Sequence, residues 1–321
     1  MERKRYLDNS IKLYADYGIW FFLVAIVIIM SFASDKFLVP SNITNILRST
    51  ITTGIVAVGM TYVMISGNFD LSVGATITFG CVLAMTMDPS DARGTVLAII
   101  VPVLAGAVIG VINGTLVGYL RLNPFITTLG MQFVVLATSQ IYVGGRHLWV
   151  PSKHIFFESL ANGFFLGVPI SMIILIILVI VAQLVLSYTN YGIYLKVSGE
   201  NRDAARLSGV KVEKIVFFSF LLVSILAGLS GSVLASWVRD CDPSSTKGYE
   251  FDIITAVVLG GTSLLGGRGN VANTFAGVLI LQIIVNAMLL LGIAYQYQLM
   301  VRGIVLITAV SLEIIVKKVN R

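Results

Sequence analysis

Residues 51–87 read ITTGIVAVGMTYVMISGNFDLSVGATITFGCVLAMTM, two apolar runs (51–66 and 71–87) joined through Gly67, Asn68, Phe69 and Asp70. Each run is long enough to be buried, so the joint sets a carboxylate where it is costly unless a local group satisfies it. Asp70 stands just before the second run, and its carboxylate is placed to accept the N–H of Ser72 or Val73 and so cap the helix that follows. Gly67 and Asn68 would permit the turn, and an acidic group at a helix N-terminus is favoured by the dipole. A second reading makes this capped turn the border of a passage, with Asp70 as part of its gate. The motif therefore predicts a helix–turn–helix pair in a medium that is apolar on both sides.

Eight further apolar runs flank the pair, at 18–34, 94–120, 124–144, 166–188, 215–238, 253–267, 271–293 and 297–316. A helix crossing a bilayer takes about 20 mostly apolar residues, and all the runs together make about ten spans. The 253–267 run is short and rich in glycine, the signature of a broken or re-entrant helix. Composition agrees. The 321 residues are 57% hydrophobic and 12% charged, where soluble domains carry roughly 25% charged residues. The chain is expected to be a single all-α polytopic membrane domain over 1–321.

Lysine and arginine set its orientation. Arg3, Lys4, Arg5 and Lys12, then Arg121, then Lys196, Arg202, Arg206, Lys211 and Lys214, then Arg268, Lys317, Lys318 and Arg321 fall on one side. Lys36, Arg48, Arg93, Arg146, Lys153, Arg239 and Lys247, half as many, fall on the other. Both termini are thus expected in the cytoplasm. The net charge of +6 calls for no nucleic acid. The first run is too long for a cleaved signal and is expected to stay as a span. Cys81 in a span and Cys241 in an outer loop are expected not to pair. His147 and His154 share an outer loop without the acids or thiols of a metal site.

Two segments between spans are longer than the rest. Residues 145–165 carry apolar patches that suit the membrane surface. On the cytoplasmic side, GENRDAARLSG within 190–214 reads as a short helix, with Asn201 as N-cap and Gly209 in the left-handed position after its end. Such a helix is marginal alone in water, and Ala204, Ala205 and Leu207, flanked by Arg202, Asp203 and Arg206, give it a small apolar contact face. It reads either as an interfacial loop helix or as a socket for a cytoplasmic partner.

Within the spans, Gly106, Gly110, Gly114 and Gly118 draw a smooth stripe for close helix packing. Thr128, Gln132 and Ser139 fall near one face of the fifth span, and Gln282 and Asn286 share a face of the ninth. Uncharged hydrogen-bonding groups of this kind suit a passage for a neutral polar solute, or simply bond one helix to the next. Arg302 and Glu313 share a helix face but stand about 16 Å apart along it. They are not expected to pair, and Glu313 is placed to meet Lys317 near the boundary.

No GxxxxGK[ST] loop is present, so ATP hydrolysis by this chain is not expected. The loose GxGxxA at Gly267 lacks the acidic residue that a dinucleotide site needs downstream. No cluster of His, Asp, Glu or Ser suggests an intramembrane enzyme. What remains is a passage powered from elsewhere.

AVGMTYVMISGNFDLSVGA, NPFITTLG, GENRDAARLSGVKVEKI and GYEFDIITAVVLGGTSLLGGRGNVANTFAGVLI, in this order, resemble the ribose-type sugar permeases of bacterial ATP-binding-cassette (ABC) importers. The resemblance covers most of the chain. It implies a multi-pass inner-membrane permease that works as a pair, with a second copy or a paralogue, embedded in membrane lipid. ATP-binding cassette proteins on the cytoplasmic face would bind ATP and Mg, and this chain no cofactor. A periplasmic sugar-binding protein would deliver a monosaccharide. The helix around Glu200, Asn201, Ala204, Ala205, Arg206, Leu207, Ser208 and Gly209 becomes the coupling element gripped by the ATPase. Spans 2–5 and 7–10 would form an inverted repeat, of which MISGN against LLGGRGN is a faint echo. Gly67, Asn68, Asp70, Thr128, Gln132, Ser139, Gln282 and Asn286 are then the candidates for the passage or its gate. Two positions depart from the usual pattern: Asn68 replaces the second of two glycines, and Glu200 replaces a glycine before Asn201. The rival reading is an ion-coupled secondary transporter of a small polar solute.

Overall fold

The computed structural model describes residues 2–87, 91–149, 155–243 and 248–319, with side chains described for 18–87, 91–149, 157–243, 248–308 and 310–311. His154 and the Glu313–Lys317 pairing lie outside what is described. The helices in chain order are α1 (Glu2–Ala33), α2 (Pro40–Ile65), α3 (Val73–Thr86), α4 (Ala92–Gly114), α5 (Pro124–Val143), α6 (Ile155–Asn162) and α7 (Ile170–Tyr188). They continue with α8 (Asn190–Glu200), α9 (Arg202–Leu207), α10 (Val212–Val238), α11 (Tyr249–Leu259), α12 (Val271–Leu290) and α13 (Tyr295–Val319). A π-helical turn, Thr115–Tyr119, prolongs α4.

Each of the ten predicted apolar runs contains a helix. Among the described residues six helices are long and apolar enough to cross a membrane, and Gly18–Ala33 and Val73–Thr86 are shorter apolar helices. The 253–267 run is helical only as far as Leu259 and continues as a glycine-rich loop. Large apolar side chains lie bare along the outer faces of the bundle, among them Leu104 and Val108 on α4, Phe133 and Ile141 on α5, and Ile177 and Val181 on α7. Water penalises such a belt and hydrocarbon does not. The protein is an all-α polytopic membrane protein.

α10 is the centre, packed by α4, α3 and α2. The glycine stripe on α4 makes that approach close. A Cβ on Gly110 would lie 2.8 Å from the Leu221 Cα, one on Gly114 2.8 Å from the Phe217 carbonyl oxygen, and one on Gly118 2.9 Å from that of Glu213. The surface of α10 reciprocates, since a Cβ on Gly231 would meet the Cys81 backbone nitrogen of α3 at 2.7 Å. Cys81 and Cys241 are both buried and free.

One segment differs from the sequence reading. Residues 190–200, taken as loop, form α8. Its glycines and β-branched residues are poor helix formers, but burial of Gly192, Leu195 and Ser198 and the Tyr191 hydroxyl 3.1 Å from the Ser219 hydroxyl fix the helix by tertiary contact. The described part of the 145–165 segment is tied to the bundle and leaves Trp149, Phe164 and Phe165 exposed. Within it, α6 caps the end of α10: the Ser236 hydroxyl donates to the Phe157 carbonyl (2.5 Å), the Ala161 N–H donates to that hydroxyl (3.2 Å), and Arg239 pairs with Glu158 at 2.7 Å. Nearby, Leu148–Trp149 pairs antiparallel with Asp240–Cys241, and His147 Nε2 lies 2.9 Å from Asp240 Oδ1. Among the described residues no group of His, Cys, Asp and Glu could hold a metal ion.

Candidate functional site

The turn between α2 and α3 holds Gly67 at φ +75°, where a side chain would be strained. Asp70 is wholly buried. Its Oδ1 accepts the Ser72 N–H at 2.8 Å and the Ser72 hydroxyl at 2.6 Å, and its Oδ2 accepts from Asn113 Nδ2 at 3.4 Å. Asn113 also donates to the Ser72 hydroxyl oxygen at 2.9 Å, tying the far end of α4 to the turn. Burial pushes the Asp70 carboxyl up to about 6, against the pull of the Ser72 and Asn113 hydrogen bonds. The Ser72 N–H is one of the two groups the sequence assigned to Asp70. α3 itself begins at Val73 with Ser72 as its cap residue, so the carboxylate closes the turn one step before the helix. Thr128, near the start of α5, accepts the Leu71 N–H at 3.0 Å, so one turn gathers α2, α3, α4 and α5.

Asn68, read from sequence as a turn residue and gate candidate, is buried and bonded on both sides. Its Nδ2 donates to the Ser66 hydroxyl (2.8 Å) and carbonyl (3.1 Å), and its Oδ1 accepts from Arg202 Nη2 at 2.8 Å. Arg202 opens α9. Burial first, and the nearby Arg206 charge second, hold its guanidinium below its ordinary value.

α9 forms as its sequence suggests. Asn201 Oδ1 accepts the N–H groups of Asp203 (3.1 Å) and Ala204 (3.0 Å), and Gly209 takes φ +82°. Ala205 is buried, while Leu207 is 90% exposed beside exposed Ala204 and Ser208. Glu200, also exposed, ends α8. The helix is moored to α10 by Arg206, whose Nη2 pairs with Glu213 at 3.0 Å. Arg121, in the link before α5, pairs with the same carboxylate at 2.9 Å. A helix of six residues is thus held by its inner side and both ends, with an apolar residue aimed outward.

The other passage candidates divide into two places. On α5, Gln132 Nε2 donates to Glu250 Oε1 of α11 at 2.8 Å, both side chains buried. Ser139, two turns further along α5, is buried and its hydroxyl has no partner among the described residues. Gln282 and Asn286 face α2 instead: Gln282 donates to Thr53 at 3.0 Å, and Asn286 and Asn42 exchange bonds of 2.8 and 3.0 Å. They line a groove of about 250 Å³ with Asn42, Asn45 and Ser49.

Sequence reasoning missed the charged residues at the head of α11. Asp252 Oδ2 accepts from Arg302 Nη1 of α13 at 2.6 Å, which supplies the partner that Arg302 lacked. The apolar run begins at Ile253, so Glu250 and Asp252 stand in front of it in the sequence. The signal was available, because two acids in a first helical turn are what the dipole favours.

Comparison with known proteins adds a family. Residues 42–310 match the model of the "Branched-chain amino acid transport system / permease component" family. The chain is 38% identical to the ribose import permease protein RbsC of Bacillus subtilis (strain 168), over 91% of this chain and 90% of the relative. It is 34% identical to RbsC of Escherichia coli (strain K12), over 91% of each chain. It is 34% identical to the L-arabinose ABC transporter permease protein AraH of Azospirillum brasilense, over 88% of this chain and 83% of the relative. No solved structure matches.

Proposed function

Because the chain belongs to the family of branched-chain amino acid transport system permease components, we propose that it is the membrane-spanning subunit of an ABC importer that carries a monosaccharide across the bacterial inner membrane. It is a transport component, not an enzyme. The ribose and arabinose permeases similar to it support a pentose or related simple sugar as cargo. The chain crosses the membrane about ten times with both termini in the cytoplasm, the orientation that the positive-inside rule favours. Spans 2–5 and 7–10 form its inverted repeat. Its partners are an ATP-binding cassette protein that holds ATP and Mg, a periplasmic sugar-binding protein, and a second permease copy or paralogue.

The observation that carries this reading is α9. A six-residue helix with a capped start, a buried Ala205 and a Leu207 that is 90% exposed is built to be gripped. ATP-driven closure of the cassette partners moves the two α9 helices, the permease halves rock, and the passage opens to a loaded binding protein. Selectivity lies mainly in that binding protein, since a passage must hold its cargo weakly enough to release it.

Reconstitution in proteoliposomes tests the whole. With cassette and binding protein present, labelled pentose should enter only with ATP and be indifferent to an ionophore. Uptake by this chain alone, abolished by the ionophore, would make it an ion-coupled transporter instead.

A further inference from the structure

Gly199, the residue two before the cap of α9, is wedged between two other loops. A Cβ there would collide with the Ile65 carbonyl oxygen at the end of α2 and stand 2.6 Å from the Gly267 nitrogen. The Gly267 N–H donates to that same Ile65 carbonyl at 2.8 Å. A Cβ on Gly266 would lie 2.7 Å from the Gly199 oxygen and 2.9 Å from the Gly67 Cα. The two loops that touch Gly199 are MISGN and LLGGRGN, the pair that echo each other in sequence. The backbone entering α9 therefore rests where the two echoing turns meet, at a spacing that only glycine allows.

Contact is two-sided, and on the α2–α3 side it is fastened by a side chain of α9. Arg202 Nη2 reaches Asn68 Oδ1 at 2.8 Å and the Ser66 carbonyl at 3.5 Å. Asn68 is held in turn by its bonds to Ser66. Two residues on, Asp70 clasps Ser72 and Asn113, and Leu71 is bonded to Thr128. The start of α9 is thus joined, through hydrogen bonds and the 68–71 backbone, to the starts of α3 and α5 and the end of α4.

We infer that the glycine junction at Gly199 is a fulcrum, and that Arg202 and Asn68 are positioning residues that join the movement of α9 to the α2–α3 turn. The inference rests on the transport reading above. It also gives a task to Asn68: its side chain is the acceptor that a glycine at this position could not offer.

The test uses the full complex of permease, cassette and binding protein in proteoliposomes, and reads sugar moved per ATP hydrolysed. The variants are Asn68→Ala, Asn68→Gly, Arg202→Ala, Arg202→Lys and the double Asn68→Ala/Arg202→Ala. Co-purification with the cassette and ATP hydrolysis are measured for each single alanine variant, and transport is read per ATP hydrolysed. In each, transport per ATP should fall about tenfold, the scale of one hydrogen bond to a charged group. The double should fall no further than the singles, because both act through one contact, and Arg202→Lys should recover most of the loss. Undiminished transport per ATP in Asn68→Gly and Arg202→Ala, or additive losses in the double, would overturn the proposal. Those outcomes leave the transport reading intact, whereas wild-type complex without ATP-dependent uptake would overturn both.

Discussion

Asp70 is buried together with its charge, and the consequence can be read in pH. Its carboxyl titrates at about 6 in the fold and near 3.9 in an unfolded chain, so the folded protein holds that proton more tightly. The stabilising share is complete below about pH 4 and is lost as the pH rises through 6. Asparagine cannot ionise, and Asp70→Asn should remove this dependence. Thermal melts in detergent should show wild type losing ground to the variant between about pH 4 and pH 7 and no further above it. Asn113 Oδ1 is buried without a partner among the described residues, and by turning its amide it can accept from the new side chain. The variant should therefore fold and take up sugar nearly normally at neutral pH; loss of uptake at normal membrane abundance would assign Asp70 to the gate. The Asp252–Arg302 pair makes the opposite case. Removing one partner of a partly buried pair leaves a charge uncompensated, a cost that reaches about 3–5 kcal/mol only where burial is complete, so Asp252→Ala and Arg302→Ala should each lower the melting temperature more than the double variant does.

Among the elements, α9 was the most legible. Its cap, its length and its terminal glycine are local signals within a dozen residues, and Asn201, Ala205 and Gly209 stand as the pattern requires. Losing the cap in Asn201→Ala should cost about 1 kcal/mol of local helix stability, measured as faster amide exchange over 203–208. Leu207→Glu should leave the melting temperature unchanged, since the side chain is bare, and should weaken cassette binding in a pull-down; unaltered binding would move the docking surface elsewhere. The glycines of α4 were legible for the same reason, because a period of four is visible in one short run. Asn68 was not. Its partner Arg202 lies 134 residues away, and no local pattern announces a hydrogen bond between two loops. α8 was missed because tertiary burial overrode a weak propensity, and Glu250 and Asp252 because an acid in front of an apolar run looks like a loop until the helix is seen to begin behind it.

At the scale of the molecule, composition alone gave the polytopic class, since burial on all sides leaves few positions for charge. The arrangement around α10 could not be read that way, because apolar periodicity tells which residues avoid water but not which helix they avoid it with. The glycine faces carry that missing information. Gly110→Leu would drive a side chain into the Leu221 backbone and separate α4 from α10, and overpacking of this kind costs about 1–3 kcal/mol. The expected result is a lower melting temperature with α9 still exposed to protease at the same bonds; an unchanged melting temperature would mean that the helices have slack.

One consequence follows from the brevity of α11. Eleven residues rise about 16 Å, roughly half of the 30 Å that hydrocarbon occupies. The chain goes on as the glycine-rich loop 260–270, whose backbone N–H and C=O groups must find their partners in protein, because lipid offers none.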